Sequence, residues 1–179
     1  MRIVRISELP VIKRNQYIYQ LRDFLKNLVL EYPLHNVWYD KMIISMYENF
    51  DREIVLAFEG EIIIGAAILK STLQEKKICT LRVSKLYRRK GIGRQLLMQS
   101  LDILQIEKPI ITIPSYRYLE YKPLFDYFSF NLEAVYNGKY YSNKNEYVYN
   151  GILLPESLIN PNDLKDYQMN RKKISIVYS

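Results

Sequence analysis

Apolar and polar residues follow two different spacings along this chain, and the order of those spacings predicts an α/β protein. Residues Arg2–Ile6 alternate as in a strand. Apolar residues then recur at helical intervals from about Arg14 to Glu31 and again from His35 to Met46. Pro33 lies between these two stretches, where it ends the first helix. The N-terminal part is therefore predicted as one strand followed by two amphipathic helices.

Beyond residue 52 the spacing becomes that of a sheet with helices inserted between some of its strands. The first two β-type runs flank Glu59-Gly60-Glu61, which is typical of a hairpin. In chain order, strands are expected at Glu53–Phe58, Ile62–Leu69, Ile78–Val83, Pro109–Pro114, Leu132–Tyr136 and Tyr147–Ile152, and helices at Gly91–Gln105 and Tyr118–Tyr127. The strand–helix–strand order in the middle implies a parallel crossover inside a mixed sheet covered by helices.

The length of 179 residues fits one domain with a short extension. We assign residues 1–151 to that domain. From Gly151 onward the periodicity stops and prolines and asparagines become frequent. Residues 152–179 are therefore predicted as a C-terminal extension.

Composition narrows the class of protein. No apolar run is long enough to cross a bilayer, and the N-terminus lacks the pattern of a secretory signal, so we expect a cytoplasmic protein that does not bind membranes. One cysteine and one histidine exclude an intramolecular disulfide and give no support for a metal site. The net charge of +7 favours polyanionic partners but does not distinguish a nucleic acid from a phosphorylated cofactor.

The most informative segment joins the strand Ile78–Val83 to the following helix through a short basic loop. The loop ends in Gly91-Ile92-Gly93, and glycines there let the backbone turn tightly and approach a ligand closely. The first N–H groups of a helix have no internal acceptor, and the helix dipole adds partial positive charge. Together these features predict an anion site suited to a diphosphate. The Walker loop and the dinucleotide fingerprint are both excluded, since their further glycine, lysine or hydroxyl residues are missing.

The segment Arg88-Arg89-Lys90-Gly91-Ile92-Gly93 resembles the Arg/Gln-x-x-Gly-x-Gly/Ala signature of the GNAT acyltransferases. The similarity extends to the element order over approximately residues 1–150. It implies the GNAT fold, an α/β architecture with a mixed central sheet of about seven strands and helices on both faces. It also implies that the central parallel strands, Ile78–Val83 and Pro109–Pro114, splay apart.

The resemblance further implies acetyl-CoA as co-substrate, with no metal. The amides expected to hold the pyrophosphate of coenzyme A are those of Arg88, Arg89, Lys90, Gly91, Ile92, Gly93 and Arg94. The backbone expected to pair with the pantetheine arm belongs to Leu81, Arg82 and Val83.

The last predicted helix departs from the family pattern at a catalytic position. GNAT enzymes commonly have a tyrosine there that protonates the departing thiolate, and this chain has Phe125. Tyr121 lies one helical turn before Phe125 and Tyr118 lies two turns before, so both share its face. We predict Tyr121 as the first substitute and Tyr118 as the second.

The base that deprotonates the attacking amine is harder to identify. Glu75 lies before the central strand and Glu120 near the last helix, and Glu75 is our first choice. His35, the only histidine, is expected to cap or pack a helix. Cys79 lies in a predicted buried strand, where it is expected to act as a small apolar side chain.

The function predicted from these residues is acetyl transfer to a primary amine by direct attack in a ternary complex. The acceptor is expected to be a small-molecule or protein amine. Two alternatives stay open: a GNAT-type toxin that acetylates aminoacyl-tRNA, and a non-catalytic acyl-CoA-binding module. A tRNA partner is compatible with the charge but not favoured, and a homodimer is compatible with the sequence.

Overall fold

The computed structural model describes residues 1–140 and 144–153. Seven strands form in this part of the chain: β1 (Arg2–Arg5), β2 (Arg52–Glu59), β3 (Ile62–Ser71), β4 (Lys76–Val83), β5 (Ile110–Pro114), β6 (Leu132–Asn137) and β7 (Asn145–Tyr149). The four α-helices are α1 (Val11–Leu25), α2 (His35–Glu48), α3 (Ile92–Leu104) and α4 (Tyr118–Tyr127). The predicted element order is confirmed throughout.

The seven strands form one mixed sheet in the order β1-β2-β3-β4-β5-β7-β6. Every neighbouring pair is antiparallel except β4 and β5, which α3 connects as a parallel crossover. Gly60, at a φ of 57°, makes the tight turn between β2 and β3. The expected mixed sheet with a parallel pair at its centre is confirmed.

Helices cover both faces of the sheet and bury two separate apolar clusters. On one face, α1 and α2 pack side chains such as Leu21 and Ile43 against Leu56 of β2. On the other face, α3 and α4 pack Leu96 and Phe125 against the sheet. This layering follows from the apolar stripe along each helix, which must be buried against a partner surface.

Helix α3 approaches β3 most closely at Gly65. A Cβ atom at this position would lie 2.9 Å from Leu96 Cδ1 and 3.1 Å from Ile92 Cγ2, closer than packed side chains allow. The absence of a side chain at Gly65 therefore fixes how α3 rests on the sheet. Because Ile92 is the first residue of α3, its close packing on Gly65 also positions the basic loop that precedes the helix.

The bounds of β7, which ends at Tyr149 instead of Ile152, and both ends of α1 differ most from the sequence prediction. Helix α1 begins at Val11, because the carbonyl of Pro10 accepts the first helical hydrogen bond from Arg14 N–H at 2.9 Å. Its predicted end, near Glu31, is instead a 3₁₀ turn over Lys26–Leu30. The predicted extension lies outside the described residues from residue 154 onward. In the described ranges, no helix combines the length and apolarity that a membrane span requires.

Candidate active site

Strands β4 and β5 pair over only two residue positions and then separate. Lys77 pairs with Ile110 and Ile78 with Ile111, after which β4 continues to Val83 without a parallel partner. A cavity of about 350 Å³ lies at this gap, lined by both strands, α2 and α4. The predicted splay of the central strands is thus confirmed, and it leaves backbone groups of β4 available to a ligand.

A β-bulge at Cys79 shapes the edge of β4 that faces this gap. Ile68 pairs with Thr80 and Leu69 with Ile78, so Cys79 is the extra residue. Farther along, Ser84 N–H donates to the Ile64 carbonyl at 2.9 Å. Alternate residues of a strand direct their main-chain N–H and C=O groups to opposite sides. Because those of Ser84 face β3, those of Arg82 face β3 as well. The main-chain groups of Leu81 and Val83 therefore face the gap.

The carbonyls of Leu81 and Val83 have gap-side partners that agree with this alternation. The Leu81 carbonyl accepts a hydrogen bond from the Tyr121 hydroxyl at 2.6 Å. The Val83 carbonyl accepts from Arg88 Nε at 3.5 Å. Of the three residues predicted to meet the pantetheine arm, Leu81 and Val83 therefore direct their backbone groups to the gap side of β4, whereas the backbone of Arg82 pairs with Ala66 of β3.

The basic loop turns into α3 through two residues with left-handed backbone conformations. Arg89 has a φ of 63° and Gly91 a φ of 79°. The first hydrogen bond of the helix runs from Gln95 N–H to the Gly91 carbonyl at 3.0 Å. The amides of residues 92–94 therefore have no acceptor within the helix, and the positive end of the helix dipole lies with them. This arrangement fits a diphosphate.

The side chains of this loop have partners of their own. The Arg94 guanidinium lies 4.1 Å from the ring centroid of Tyr127 and also donates to its hydroxyl. The Lys90 ammonium lies 5.0 Å from the Tyr87 ring. Arg88 forms an ion pair with Glu120 at 3.1 Å. The anion site is consequently built from main-chain donors, and the basic side chains around it add a positive field.

The two tyrosines predicted as proton donors lie in different surroundings. Tyr121 is buried and lines the cavity, where burial raises the pKa of its hydroxyl and keeps the phenol protonated. Tyr118 packs edge-on against Tyr147, with ring centroids 5.9 Å apart, and is not among the cavity-lining residues. Phe125 is fully buried between Tyr121 and Tyr149. The catalytic roles of both tyrosines stay predictions, and the geometry favours Tyr121.

A carboxylate that the sequence reasoning missed lies beside the cavity. Glu146 of β7 is 4% exposed and accepts a hydrogen bond from the Tyr32 hydroxyl at 3.1 Å. Burial raises the pKa of Glu146 to about 7, although hydrogen bonds from Thr112 and Tyr32 and the charge of Lys77 oppose the shift. A carboxyl with this pKa can accept a proton at neutral pH. The one signal in the sequence was a glutamate inside a tyrosine- and valine-rich strand.

The carboxylates that were proposed as bases from the sequence have structural partners. Glu75 is buried and forms an ion pair with Lys70 at 2.7 Å, next to the turn that precedes β4. Glu120 pairs with Arg117 at 2.8 Å as well as with Arg88. None of the three carboxylates, Glu75, Glu120 and Glu146, is among the cavity-lining residues. The roles of Glu75 and Glu120 as bases stay predictions; Glu146 differs from both because it accepts a hydrogen bond from Tyr32, which lines the cavity.

The opposite wall of the cavity comes from the segment between α1 and α2. The first residues of α2 complete this wall, and among them His35 packs beside Trp38 with ring centroids 5.6 Å apart. Burial and the nearby charges of Arg82 and Arg22 lower the pKa of His35 to about 4, so the imidazole is neutral at pH 7. The expectation that His35 packs is confirmed, and its low basicity makes it a poor proton acceptor.

The Arg82 side chain reaches this same wall and joins an ion-pair network. Arg82 and Arg117 both donate to the Glu31 carboxylate. Burial opposes ionisation of Glu31, yet the charge of Arg82 and the hydrogen bonds from both arginines hold the pKa of Glu31 below its usual value. The network ties β4 to the start of α4 and to the end of the 3₁₀ turn. It therefore holds together elements that line the cavity.

The described ranges contain no candidate metal-binding site. No group of three histidine, cysteine, aspartate or glutamate side chains lies close enough together there to hold an ion.

Comparison with known protein families agrees with this architecture. A family model described as an acetyltransferase (GNAT) domain matches residues 21–120, which is 100 of the 179 residues. The matched span runs from α1 to the start of α4 and contains the splayed strands and the basic loop. No curated protein is matched by the sequence.

Several solved structures share the fold at low sequence identity. A GNAT-family acetyltransferase from Desulfovibrio desulfuricans superposes with a TM-score of 0.64 at 17% identity, covering 83% of this chain and 96% of that chain. The protein smu.2055 from Streptococcus mutans gives 0.59 at 20% identity, covering 83% and 97%. The ribosomal-protein-S18-alanine N-acetyltransferase from Escherichia coli gives 0.51 at 17% identity, covering 60% and 72%. At these identities the likeness concerns the fold alone.

Proposed function

Because this chain belongs to the GNAT acetyltransferase family, we propose that it transfers an acetyl group from acetyl-CoA to a primary amine by direct attack. One observation supports this most strongly. The gap between β4 and β5 lies along the strand that leads into the amides at the start of α3, and Tyr32, which lines the cavity there, donates a hydrogen bond to a buried carboxyl with a pKa of about 7. A candidate site for a nucleotide diphosphate and a candidate proton acceptor are thus both connected to this gap, the first through β4 and the second through Tyr32.

The pyrophosphate of coenzyme A would be held by the amides of Arg88–Arg94. The main-chain groups of Leu81 and Val83 would pair with the pantetheine arm along the open edge of β4. When bound, acetyl-CoA supplies an activated thioester, whose carbon–sulfur bond breaks as the amine nitrogen forms the new carbon–nitrogen bond. This reaction requires no covalent intermediate with the protein.

Glu146 is our candidate for the general base. Its carboxylate accepts the proton that the attacking amine loses, either directly or through a water molecule. The Tyr32 hydroxyl holds Glu146 at the cavity by its hydrogen bond. Because burial raises the pKa of Glu146 to about 7, its carboxylate is a stronger base than an ordinary glutamate and still forms near neutral pH.

Tyr121 is our candidate for the general acid. Its hydroxyl oxygen is fixed at the open edge of β4 by the hydrogen bond to the Leu81 carbonyl. A protonated phenol at this position can transfer its proton to a departing thiolate and recover it from solvent. Tyr121 thereby takes the place of the tyrosine that the family commonly has at the position of Phe125.

Substitution of Gly93 tests the cofactor site directly. A Gly93→Glu variant places a carboxylate among the amides, so we expect acetyl-CoA affinity to fall by about 100-fold or more in calorimetric titration. Gly93→Ala is the matched control, because an added Cβ meets Val83 and Leu124 only at 3.7 and 3.8 Å. Unchanged affinity in the glutamate variant, with the alanine variant also unchanged, would place the diphosphate elsewhere.

The non-catalytic alternative and the tRNA alternative share one assay. Release of free coenzyme A thiol is measured across small amines, peptides and aminoacyl-tRNA. Turnover with a small amine contradicts a non-catalytic module. Turnover confined to aminoacyl-tRNA would replace the proposed small-amine acceptor.

A further inference from the structure

The part of the cavity near Glu146 also holds two lysines that the proposed chemistry does not use. Lys77 of β4 and Lys139 of the β6–β7 hairpin both line the cavity. Lys77 is only 6% exposed. Burial and the charge of Lys77 lower the pKa of Lys139, so the two ammonium groups interact with each other. The cavity therefore concentrates positive charge at its acceptor end.

No described carboxylate neutralises either lysine by a close ion pair. In residues 1–140 and 144–153, no carboxylate oxygen lies within 4.0 Å of either ammonium nitrogen. The Lys139 ammonium instead lies 4.4 Å from the ring centroid of Tyr136. Glu146 interacts with both lysines electrostatically, but its carboxyl is partly protonated at neutral pH. Placing two like charges in a cavity of low polarity is unfavourable unless an anion offsets them.

The wall facing these lysines is apolar and aromatic. Leu28, Pro33, Leu34 and Trp38 line it, and the Tyr32 and Tyr140 rings meet edge-on at 5.0 Å. Such a surface binds hydrocarbon or aromatic groups by removing them from water. A volume of about 350 Å³ is at the lower end for ligand pockets, so the acceptor group that enters must be small.

We propose, building on the proposed acetyl transfer, that the acceptor is a small primary amine that also carries an acidic group and an apolar body. Lys77 and Lys139 bind the acidic group, and the wall around Trp38 binds the apolar body. The amine then lies between the lysines and the thioester, within reach of Glu146. Amino acids with apolar or aromatic side chains have this combination of groups, as do aminoalkyl phosphates. Polyamines lack it and would be repelled by the lysines.

Binding of analogues that lack the amine, the acidic group or both tests this proposal without any turnover. Trp38 is the only tryptophan in the chain and lines the cavity, so its fluorescence reports occupancy. We would titrate the protein with 3-phenylpropanoate, with the neutral 3-phenylpropanamide, with the cationic phenethylamine and with phenethyl phosphate. We expect at least one of the two anions to bind about tenfold or more tightly than both the amide and the amine, a difference of about 1.4 kcal/mol. The tighter anion identifies the acidic group as carboxylate or phosphate.

Variants then assign the preference to the lysines. Lys139→Met is expected to remove most of the anion preference while leaving affinity for the neutral amide within about twofold, since methionine retains the apolar part of the side chain. Lys77→Met is also expected to lower the anion preference. Because Lys77 is buried, this variant is the more prone to misfold, and the test then depends on Lys139→Met alone. Lys144→Met is the matched control, because Lys144 belongs to the same hairpin but is not a cavity-lining residue.

Several outcomes would overturn the proposal. They are equal or tighter binding of phenethylamine, a preference for anions that survives in Lys139→Met, or no saturable change in Trp38 fluorescence with any of the four compounds. Acetyl-CoA affinity, measured separately by calorimetry, distinguishes these failures from failure of the proposed acetyl transfer. Normal acetyl-CoA binding with no anion preference would reject the acidic acceptor alone.

Discussion

The two ends of the proposed active site are built in different ways. At the cofactor end, amides of one continuous segment, Arg88–Arg94, surround the start of α3, and the loop residues Arg89, Lys90 and Gly91 are exposed to solvent. At the acceptor end, side chains from distant parts of the chain meet in a buried space. Glu146 and Tyr32, which share a hydrogen bond, are 114 residues apart in the sequence.

This difference predicts which substitutions each end tolerates. Main-chain donors survive changes of most side chains but depend on backbone conformation, so the glycines are the sensitive positions of the cofactor end. A side-chain site depends on the identity and the burial of each group. The acceptor end should therefore be sensitive at Glu146 and Tyr121 and should respond to pH. The following experiments separate the two ends, starting with the largest expected effect.

Glu146→Gln should separate proton abstraction from cofactor binding. Loss of a general base typically costs about 10²- to 10⁴-fold in rate, so we expect kcat to fall by that factor while acetyl-CoA affinity stays unchanged. In the wild-type protein kcat/KM should rise with pH through about 7, because Glu146 must lose its proton to act, and the variant should lack this limb.

A folding control accompanies this variant. Burial raises the pKa of Glu146 above its value in the unfolded chain, so ionisation disfavours the folded state, and stability from this group falls as pH rises from about 4.5 through about 7. Glu146→Gln should therefore unfold at an equal or higher temperature than the wild type at pH 8. A variant with normal kcat at pH 8 would exclude Glu146 as the base.

Tyr121→Phe should have a smaller effect on the same end. Thiols ionise near pH 8.5, so the leaving group depends less on a proton donor than the amine does on a base, and we expect kcat to fall by about 10- to 100-fold. Tyr118→Phe is the control, since Tyr118 packs against Tyr147 away from the cavity. Equal losses in the two variants would indicate that the ring packing matters and the hydroxyl does not.

Gly91→Ala should act on the cofactor end alone. Open space surrounds the position where a Cβ would lie, but a φ of 79° costs an alanine about 1–2 kcal/mol. The loop would shift to relieve this strain and move its amides, so we expect acetyl-CoA affinity to fall by up to about tenfold. Arg89→Ala, measured by the same calorimetry, should lower affinity less, because there the main chain is the ligand-binding group. A larger loss in Arg89→Ala would show that a side chain holds the diphosphate.

Glu75→Gln should leave both ends nearly unaffected in activity. Because Glu75 pairs with Lys70 in a buried position, we expect the free energy of unfolding in urea to fall by about 1–3 kcal/mol. The rate of thiol release in the folded variant should stay within about twofold of wild type. A large fall in kcat with unchanged stability would restore Glu75 as the base.

Much of the fold was accessible from the sequence because the governing interactions are local. The apolar stripe of α3, the hairpin at Gly60 and the glycine-rich entry to α3 all depend on residues within one or two turns of each other. The splay of β4 and β5 came instead from the family resemblance, since no spacing within either strand encodes where pairing stops. Helix α1 starts three residues before the predicted Arg14, with Pro10 as its N-cap. Its first residues, Val11 and Ile12, are exposed and do not belong to the apolar stripe from which the helix was predicted.

The sequence by itself therefore determined the element order and the glycine-rich helix start that we propose as the diphosphate site, since the first amides of a helix lack acceptors within it wherever the helix forms. Only the tertiary structure distinguishes the candidate carboxyls from one another. Glu75, Glu120 and Glu146 are the same residue type, and their ordinary acidity is identical. What distinguishes them is their surroundings. Glu75 and Glu120 form close ion pairs, whereas Glu146 is held by hydrogen bonds from Tyr32 and Thr112 and is removed from water. Desolvation by residues far away along the chain sets that pKa, and no local pattern records it.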